Sequence, residues 1–273
     1  MVEAVLRPKG PYSLRLTQGA TWTSRLPEGR WASAQQLRDG RVVVRASCDR
    51  AITDARFVLA LDDDTGEFHR RFAHDPLLGQ SVRRFCGMRP RRRPTVTHAV
   101  VRAVCGQLIQ ASRALQIERA IIRACGEDPP RRAALAGLSA ARITGCGLSS
   151  TRAATLARLA RTIDLESLRG RDDALARLGR ERGVGPWTVG VIALQGLGRY
   201  DAGIVDDLAL VKLLASLRRR WPEPGETAEL LAPYEEWQGL ASIFLVQGFA
   251  RGLVPGASMD RARLVRSKAP RAA

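Results

Sequence analysis

Two glycines one residue apart stand out in the stretch Gly183-Val184-Gly185-Pro186. An apolar helical pattern precedes this stretch, and a proline suits the first position of the helix predicted after it. Glycines permit a sharp turn and a close approach of the backbone to another molecule, and the amides that open a helix attract anions. The pattern therefore predicts a hairpin between two helices over residues 178–190 that holds a DNA phosphate without reading bases. An ordinary tight turn between packed helices is the alternative.

An aspartate pair follows the hairpin, at Asp206 and Asp207, and leads into the apolar run Leu208-Ala209-Leu210. A carboxylate here suits two roles, the N-cap of a helix and the stabilisation of positive charge on a reacting sugar. Trp187, at the end of the hairpin, suits either an anchor in the core or an aromatic wall against a base. The residues alone leave these alternatives open.

Together, the hairpin and the aspartate resemble the helix–hairpin–helix DNA glycosylase superfamily, and within it the bacterial 3-methyladenine DNA glycosylase II class. The hairpin ending in Trp187-Thr188 is typical of that class, as is Asp207 directly before Leu-x-Leu. Two further segments match its helices: 103–109, which contains a Gly-Gln pair, and 142–163, which contains Gly-Cys-Gly-Leu. The resemblance covers roughly residues 75–250 and is fainter before them.

This resemblance implies hydrolysis of the bond between a damaged base and C1′ of its deoxyribose, after the nucleotide has flipped out of the duplex. Asp207 would be the catalytic carboxylate, with Asp206 as the alternative. Some members attack C1′ with a lysine just after the hairpin and then cut the strand. Trp187 occupies that position and the nearest lysine is Lys212, so we expect hydrolysis without lyase activity.

The resemblance also implies roles for other residues. The base pocket would use the side chains of Trp187, Val191, Leu208 and Tyr234. Contacts with DNA, including a leucine wedge in the gap left by the flipped base, would come from Gln107, Leu108, Gly183, Gly185 and Thr188. An indole face favours cationic N3- or N7-alkylated purines. No cofactor is required, although hairpin carbonyls in the superfamily hold a monovalent cation, which corresponds here to Gly179, Glu181 and Val184.

The elements that must position these residues differ along the chain. Strands are predicted between turn signals at Val42–Val44 and Arg56–Leu61. The basic stretch Met88–Pro94, which contains two prolines, predicts a boundary or surface loop. From Thr95 onward, apolar residues recur at helical spacing through a segment that ends at Cys125-Gly126. Further helices are predicted over residues 149–163, 172–180, 187–195, 207–217 and 234–252, before a frayed tail that begins at residue 260.

We therefore expect an α+β fold that is mostly α. A small mixed α/β N-terminal domain is predicted over residues 1–94, followed by a helical glycosylase region over 95–258 with a cleft between helical subdomains. Residues 259–273 form a basic tail.

Composition narrows the choice of partners. The 273 residues carry 44 Lys and Arg against 27 Asp and Glu, a net charge of +17, which favours nucleic acid first and an anionic membrane surface second. The five cysteines and three histidines are too scattered for a disulfide framework or a metal site. Without an apolar run of roughly 18 residues or a signal pattern, we expect a monomeric cytoplasmic protein, associated with the nucleoid and not with a membrane.

The sequence thus predicts a monofunctional DNA N-glycosylase for alkylated purines of the 3-methyladenine and 7-methylguanine type, which initiates base excision repair in duplex DNA. Two alternatives stay open: a glycosylase of the same superfamily for another lesion, and a DNA-binding protein without activity.

Overall fold

The computed structural model describes residues 1–268, with side chains through residue 266. An antiparallel sheet of four strands occupies the N-terminal part, in the spatial order β1-β4-β3-β2. The strands are β1 (Val2–Leu6), β2 (Thr21–Arg25), β3 (Trp31–Gln36) and β4 (Val42–Ala46). Alternate residues of β4, such as Val42 and Val44, are buried, as expected for a sheet with one face on a core.

Helices make up the rest of the described chain. In chain order they are α1 (Leu14–Thr17), α2 (Asp49–Val58), α3 (Gly66–Phe72), α4 (Gly79–Arg84), α5 (Val96–Gly106), α6 (Ala111–Cys125), α7 (Arg132–Ala136), α8 (Ala140–Gly145), α9 (Ser150–Thr162), α10 (Ala174–Gly179), α11 (Pro186–Ile192), α12 (Leu208–Arg218), α13 (Glu226–Leu231), α14 (Gln238–Ala250) and α15 (Met259–Lys268). Short 3₁₀ turns lie at Pro27–Gly29, Glu166–Leu168 and Ala232–Trp237, and a π-turn at Ala193–Leu197 extends α11.

The buried apolar residues form two cores. The smaller core lies between the sheet and α2 and contains residues from Leu14 to Leu61, and the larger contains residues from Phe68 to Ala262. The chain therefore passes from the smaller core to the larger one between residues 61 and 68. The domain boundary predicted at residue 94 concerns independent folding units and stays a prediction.

The basic stretch Met88–Pro94 joins these two parts instead of forming a surface loop. Arg89 is only 2% exposed, and its guanidinium donates to the backbone carbonyls of Lys9, Pro11 and Asp63. Arg92 is also buried, pairs with Asp63 and donates to the carbonyl of Gly198. Buried guanidinium groups need such acceptors, so this stretch connects the sheet region to the helical region.

The predicted fold class, mixed and mostly helical, is confirmed, and so is a strand at Val42–Val44. The strand predicted at Arg56–Leu61 is wrong, because the chain is already helical there: Ala51, Ala55 and Val58 bury one face of α2.

Two further predictions about helices need correction. The segment that ends at Cys125 is not continuous, since it breaks between α5 and α6. The tail that begins at residue 260 is not frayed through residue 268, because α15 packs against α12 and buries Ala262. Residues 269–273 of that tail lie outside the described residues.

Candidate active site

The glycine hairpin lies between α10 and α11, as predicted, and its two glycines differ in their surroundings. Gly183 has a φ of +81°, and a Cβ there would lie 2.6 Å from Oγ1 of Thr155 on α9. Gly185 has a φ of −88°, and apart from Gly185 itself and its two chain neighbours no described residue has an atom within 4 Å of the place a Cβ would take. Gly183 is thus required by the fold, whereas Gly185 leaves its outer side open to an approaching molecule.

A second contact fixes the hairpin to α9. The Arg158 guanidinium donates to the carbonyl of Arg182 at 2.6 Å and pairs with the carboxylate of Glu181. Since α9 belongs to the large core, the hairpin is held in place before any ligand binds.

The side chains of Asp207 and Trp187, 20 positions apart, meet at the start of α12. The indole Nε1 of Trp187 donates to Oδ2 of Asp207 at 2.9 Å. The other carboxylate oxygen, Oδ1, accepts the backbone N–H of Ala209 at 2.9 Å and so caps α12. Both predicted roles of Asp207 are therefore compatible, because the carboxylate is held by two donors and stays partly exposed.

Asp206 is placed quite differently. Its backbone has a φ of +62°, and its Oδ1 accepts hydrogen bonds from Thr227 Oγ1 at 2.9 Å and from the backbone N–H of Gly225 at 3.2 Å. The carboxylate of Asp206 thus orders the loop before α13. Of the two aspartates, Asp207 is the one that contacts the hairpin tryptophan.

The turn between α5 and α6 carries Gln107 and Leu108. Gln107 Nε2 donates to the carbonyl of Gly183 at 3.0 Å and to Oγ1 of Thr188 at 2.9 Å. Leu108 has a φ of +54° and is 96% exposed. A leucine exposed in this way is not a core residue, and the side chain of Gln107 attaches its turn to the hairpin.

Trp187 is half-buried beneath this turn. Its ring edge lies so close to α5 that a Cβ on Gly106 would be 2.8 Å from Cη2 of the indole. Gly106 therefore makes room for the tryptophan. Thr188 is 2% exposed, so its hydroxyl serves the bond with Gln107, and a contact of that hydroxyl with phosphate would require it to move.

Of the other predicted pocket residues, Leu208 is exposed beside Asp207, and two are buried. Val191 belongs to the large core. Tyr234 is 3% exposed, its ring meets Phe72 edge-on at 5.2 Å, and its hydroxyl donates to Asp75 at 3.3 Å. Burial raises the pKa of the Tyr234 hydroxyl. Hydrogen bonds thus connect Gln107 with the hairpin and Trp187 with Asp207, whereas Tyr234 belongs to an aromatic cluster.

The hairpin carbonyls fit a monovalent cation in part. The carbonyl of Glu181 accepts the N–H of Val184 at 3.0 Å, which leaves it one lone pair. The carbonyls of Gly179 and Val184 receive no hydrogen bond from the described residues. These three oxygens are suitable ligands by their chemistry, and the cation stays a prediction.

The chain is similar in sequence to a known DNA glycosylase. No family model matches the chain. A DNA-3-methyladenine glycosylase of Bacillus subtilis (strain 168) is 29% identical over 231 residues, which cover 77% of this chain and 76% of that protein.

Two solved structures share the fold. The 3-methyladenine DNA-glycosylase from Archaeoglobus fulgidus has a TM-score of 0.74 and 17% identity, with 91% of this chain and 98% of that one covered. The Clostridium acetobutylicum 8-oxoguanine glycosylase/lyase, in complex with double-stranded DNA, has a TM-score of 0.70 and 17% identity, with 92% and 99% covered. The chain therefore shares the fold of these two glycosylases.

Several residues that organise this site were given no role from the sequence. Thr155 and Arg158 hold the hairpin from α9, and Gly106 accommodates Trp187. Gly190 is equally constrained, because a Cβ there would lie 2.2 Å from the carbonyl of Gly203. A lone glycine within a helical pattern is the only sequence signal for Gly190, whereas Gly106 belongs to the Gly-Gln pair of residues 103–109.

No described helix is long and apolar enough to cross a bilayer.

Proposed function

We propose that this chain is a DNA N-glycosylase that removes alkylated purines from duplex DNA and acts as a monomer. The observation that carries the proposal is the position of the Asp207 carboxylate, fixed by Trp187 and by the cap of α12. The carboxylate thereby lies next to Trp187, at the end of the hairpin. In the same hairpin, Gly185 leaves room for a phosphate to approach. The similarity to 3-methyladenine glycosylases supports the choice of substrate class.

Cleavage of an N-glycosidic bond places positive charge on the sugar. The departing base takes the electron pair of the C1′–N bond, and a water oxygen then bonds to C1′ and releases a proton. A carboxylate next to C1′ stabilises the cationic transition state. Asp207 has one oxygen on the helix cap and the other on the indole N–H, so it is already oriented before the substrate arrives.

The substrate must leave the duplex to reach this carboxylate. Leu108 is exposed at the tip of a turn and is suited to fill the space left by the flipped nucleotide. Alkylated purines carry positive charge and have weakened glycosidic bonds. The indole of Trp187 would favour their cationic rings by roughly 0.5–2 kcal/mol.

A lyase step would need an amine at C1′. The residue that follows Pro186 at the start of α11 is Trp187, and the nearest lysine in the sequence, Lys212, lies on α12 beyond the cap. We therefore propose that the reaction ends with an abasic site and an intact strand.

The test is the release of free bases from methylated duplex DNA. Wild type should release 3-methyladenine or 7-methylguanine, and Asp207→Asn should bind the same DNA but release neither. Asp206→Asn is the matched control, because Asp206 orders a loop and should be dispensable for release. Treatment with borohydride should trap no covalent complex, and the product strand should stay uncut until alkali is added.

Other outcomes would redirect the proposal. If neither methylated base is released but another damaged base from a lesion panel is, the chain is a glycosylase of different specificity. If DNA is bound and no base is released from any substrate, the chain is a DNA-binding protein without activity. Equal release by wild type and Asp207→Asn would exclude Asp207 as the catalytic carboxylate.

A further inference from the structure

A second concave site lies at the junction of the sheet and the helical region. It is a cavity of about 330 Å³ between β2, the 91–94 stretch and the loop at Asp128-Pro129. The cavity and the candidate active site lie at opposite ends of α5. His98, near the start of α5, lines the cavity, whereas the other end of α5 leads to Gln107, roughly 14 Å away at 1.5 Å per residue.

The lining of this cavity is strongly basic. Four arginines contribute to it, Arg25, Arg91, Arg92 and Arg93, against one carboxylate, Asp128. An excess of guanidinium groups around one cavity attracts an anion.

Two of these arginines are already neutralised. Arg92 pairs with Asp63, and Arg93 lies 3.2 Å from Oε1 of the buried Glu118. Burial alone would raise the pKa of Glu118, but the hydrogen bond from His98 and the charges of Arg93 and Arg102 hold it below its ordinary value. These ion pairs stabilise the fold, and because their charges cancel they add little to the attraction of an anionic ligand.

The other two arginines keep unused donors. Arg91 uses only Nε, which donates to the carbonyl of Thr17 at 3.1 Å. Its two terminal nitrogens, and the whole guanidinium of Arg25, have no hydrogen-bond or ion-pair partner within residues 1–268. Arg25 lies on β2 and Arg91 on the connecting stretch, and both residues line the cavity.

Two of the lining arginines also have buried donors. Nε of Arg92 and Nε of Arg93 have no hydrogen-bond partner in the described residues, but both atoms are shielded from solvent, so a ligand in the cavity would not reach them. The donors open to a ligand are therefore those of the exposed residues Arg25 and Arg91.

We propose that this cavity binds a phosphate group through Arg25 and Arg91. Phosphate is the anion whose several acceptor oxygens best match two guanidinium groups. The volume lies at the lower end of the range for small-ligand sites. The phosphate belongs either to a free small molecule or to the DNA backbone, and the chemistry of recognition is the same for both. This site does not depend on the proposed glycosylase activity.

The test is calorimetric titration of the full chain with inorganic phosphate and with pyrophosphate in chloride buffer. Arg25→Ser and Arg91→Ser should each weaken binding by about tenfold or more, because each removes a charged donor. Arg91→Lys should lose less, since it keeps the charge. Arg38→Ser is the matched control, because Arg38 is an exposed arginine of the sheet region that does not line the cavity. Thermal unfolding must show that all variants are folded.

Competition between an undamaged DNA duplex and phosphate distinguishes the two sources of phosphate. If the site takes DNA backbone, an undamaged duplex will displace phosphate, and both serine variants will show a shallower dependence of DNA affinity on salt. If the site takes a free phosphate, the duplex will not displace it. The absence of saturable binding, or equal affinity in the Arg25, Arg91 and Arg38 variants, would overturn the proposal. Asp207→Asn, which should abolish base release, should bind inorganic phosphate as wild type does, so failure here is distinct from failure of the proposed activity.

Discussion

The indole N–H of Trp187 donates a 2.9 Å hydrogen bond to the Asp207 carboxylate, so an aromatic residue of the hairpin orients the proposed catalytic group. The same tryptophan packs against α5 at Gly106. One side chain therefore connects the hairpin, the turn that bears Leu108 and the start of α12.

Trp187→Phe tests this orientation because it keeps an aromatic ring and removes the N–H donor. Loss of a hydrogen bond to a charged group costs roughly 1.5–3 kcal/mol, so we expect kcat for base release to fall roughly ten- to a hundredfold while DNA affinity changes little. Single-turnover rates and fluorescence anisotropy would measure the two quantities. A parallel loss of binding and rate would show instead that Trp187 acts mainly through DNA or base contact.

Gln107→Glu should uncouple the Leu108 turn from the hairpin. The two side chains have the same shape, but a carboxylate offers no N–H to the Gly183 carbonyl or to Thr188 and repels that carbonyl. We expect excision of a lesion in paired duplex to fall by about tenfold, and excision of the same lesion placed in an unpaired bulge to fall much less.

The difference between the excision rates on paired and bulged substrates measures the contribution of the Leu108 wedge, because an unpaired base leaves the duplex without it. Gln110→Glu is the matched control, because Gln110 lies in the same turn, is exposed and makes no side-chain cap bond. Equal losses on both substrates would point to a general disturbance of the hairpin.

The two hairpin glycines should respond in opposite ways to alanine. Gly183→Ala introduces a Cβ at positive φ and 2.6 Å from Thr155 Oγ1, so it should destabilise the fold by about 1 kcal/mol or more. Gly185→Ala should leave stability within about 0.5 kcal/mol but weaken DNA binding, because the methyl group occupies the open side of the hairpin. Urea unfolding and binding to an undamaged duplex measure the two effects. Lower stability with unchanged DNA binding for Gly185→Ala would contradict the proposal that DNA approaches the hairpin at Gly185.

Local patterns were enough to predict the hairpin and the Asp207 cap, because each depends on residues close together in sequence. The bond from Gln107 to Thr188 spans 81 positions, and no local signal reveals it. The break at Leu108 is hidden for a similar reason: a leucine at positive φ continues the apolar period of α5 in the sequence, while the backbone turns away from the helix.

The same limit explains two further differences between the sequence predictions and the structure. Met88–Pro94 has the composition of a solvated connection, but Arg89 is buried because carbonyl groups from distant segments accept its hydrogen bonds. Tyr234 likewise lies where a pocket residue was expected, yet Phe72 and Asp75, more than 150 positions away, draw it into the core. Partners supplied by tertiary structure decided both outcomes.

His69 should make stability depend on pH. The ring is 9% exposed, lies between the rings of Phe68 and Phe244, and its Nε2 accepts the backbone N–H of Gly87 at 3.4 Å. Burial, assisted by the charge of Arg89, lowers the pKa of His69 from 6.5 to about 4. The folded state therefore holds this histidine neutral.

Above pH 6.5 the side chain is neutral in both states and carries no penalty. Between pH 6.5 and about 4 the unfolded chain binds a proton that the folded chain excludes, so stability should fall over this window by on the order of 3 kcal/mol. Urea unfolding at pH 7.5 and pH 5 would measure the first part of this loss, about 2 kcal/mol. His69→Gln keeps an acceptor for Gly87 and should lose less stability over this interval. His74→Gln, at an exposed histidine, should follow wild type, and a loss equal in all three proteins would assign the pH dependence to other groups.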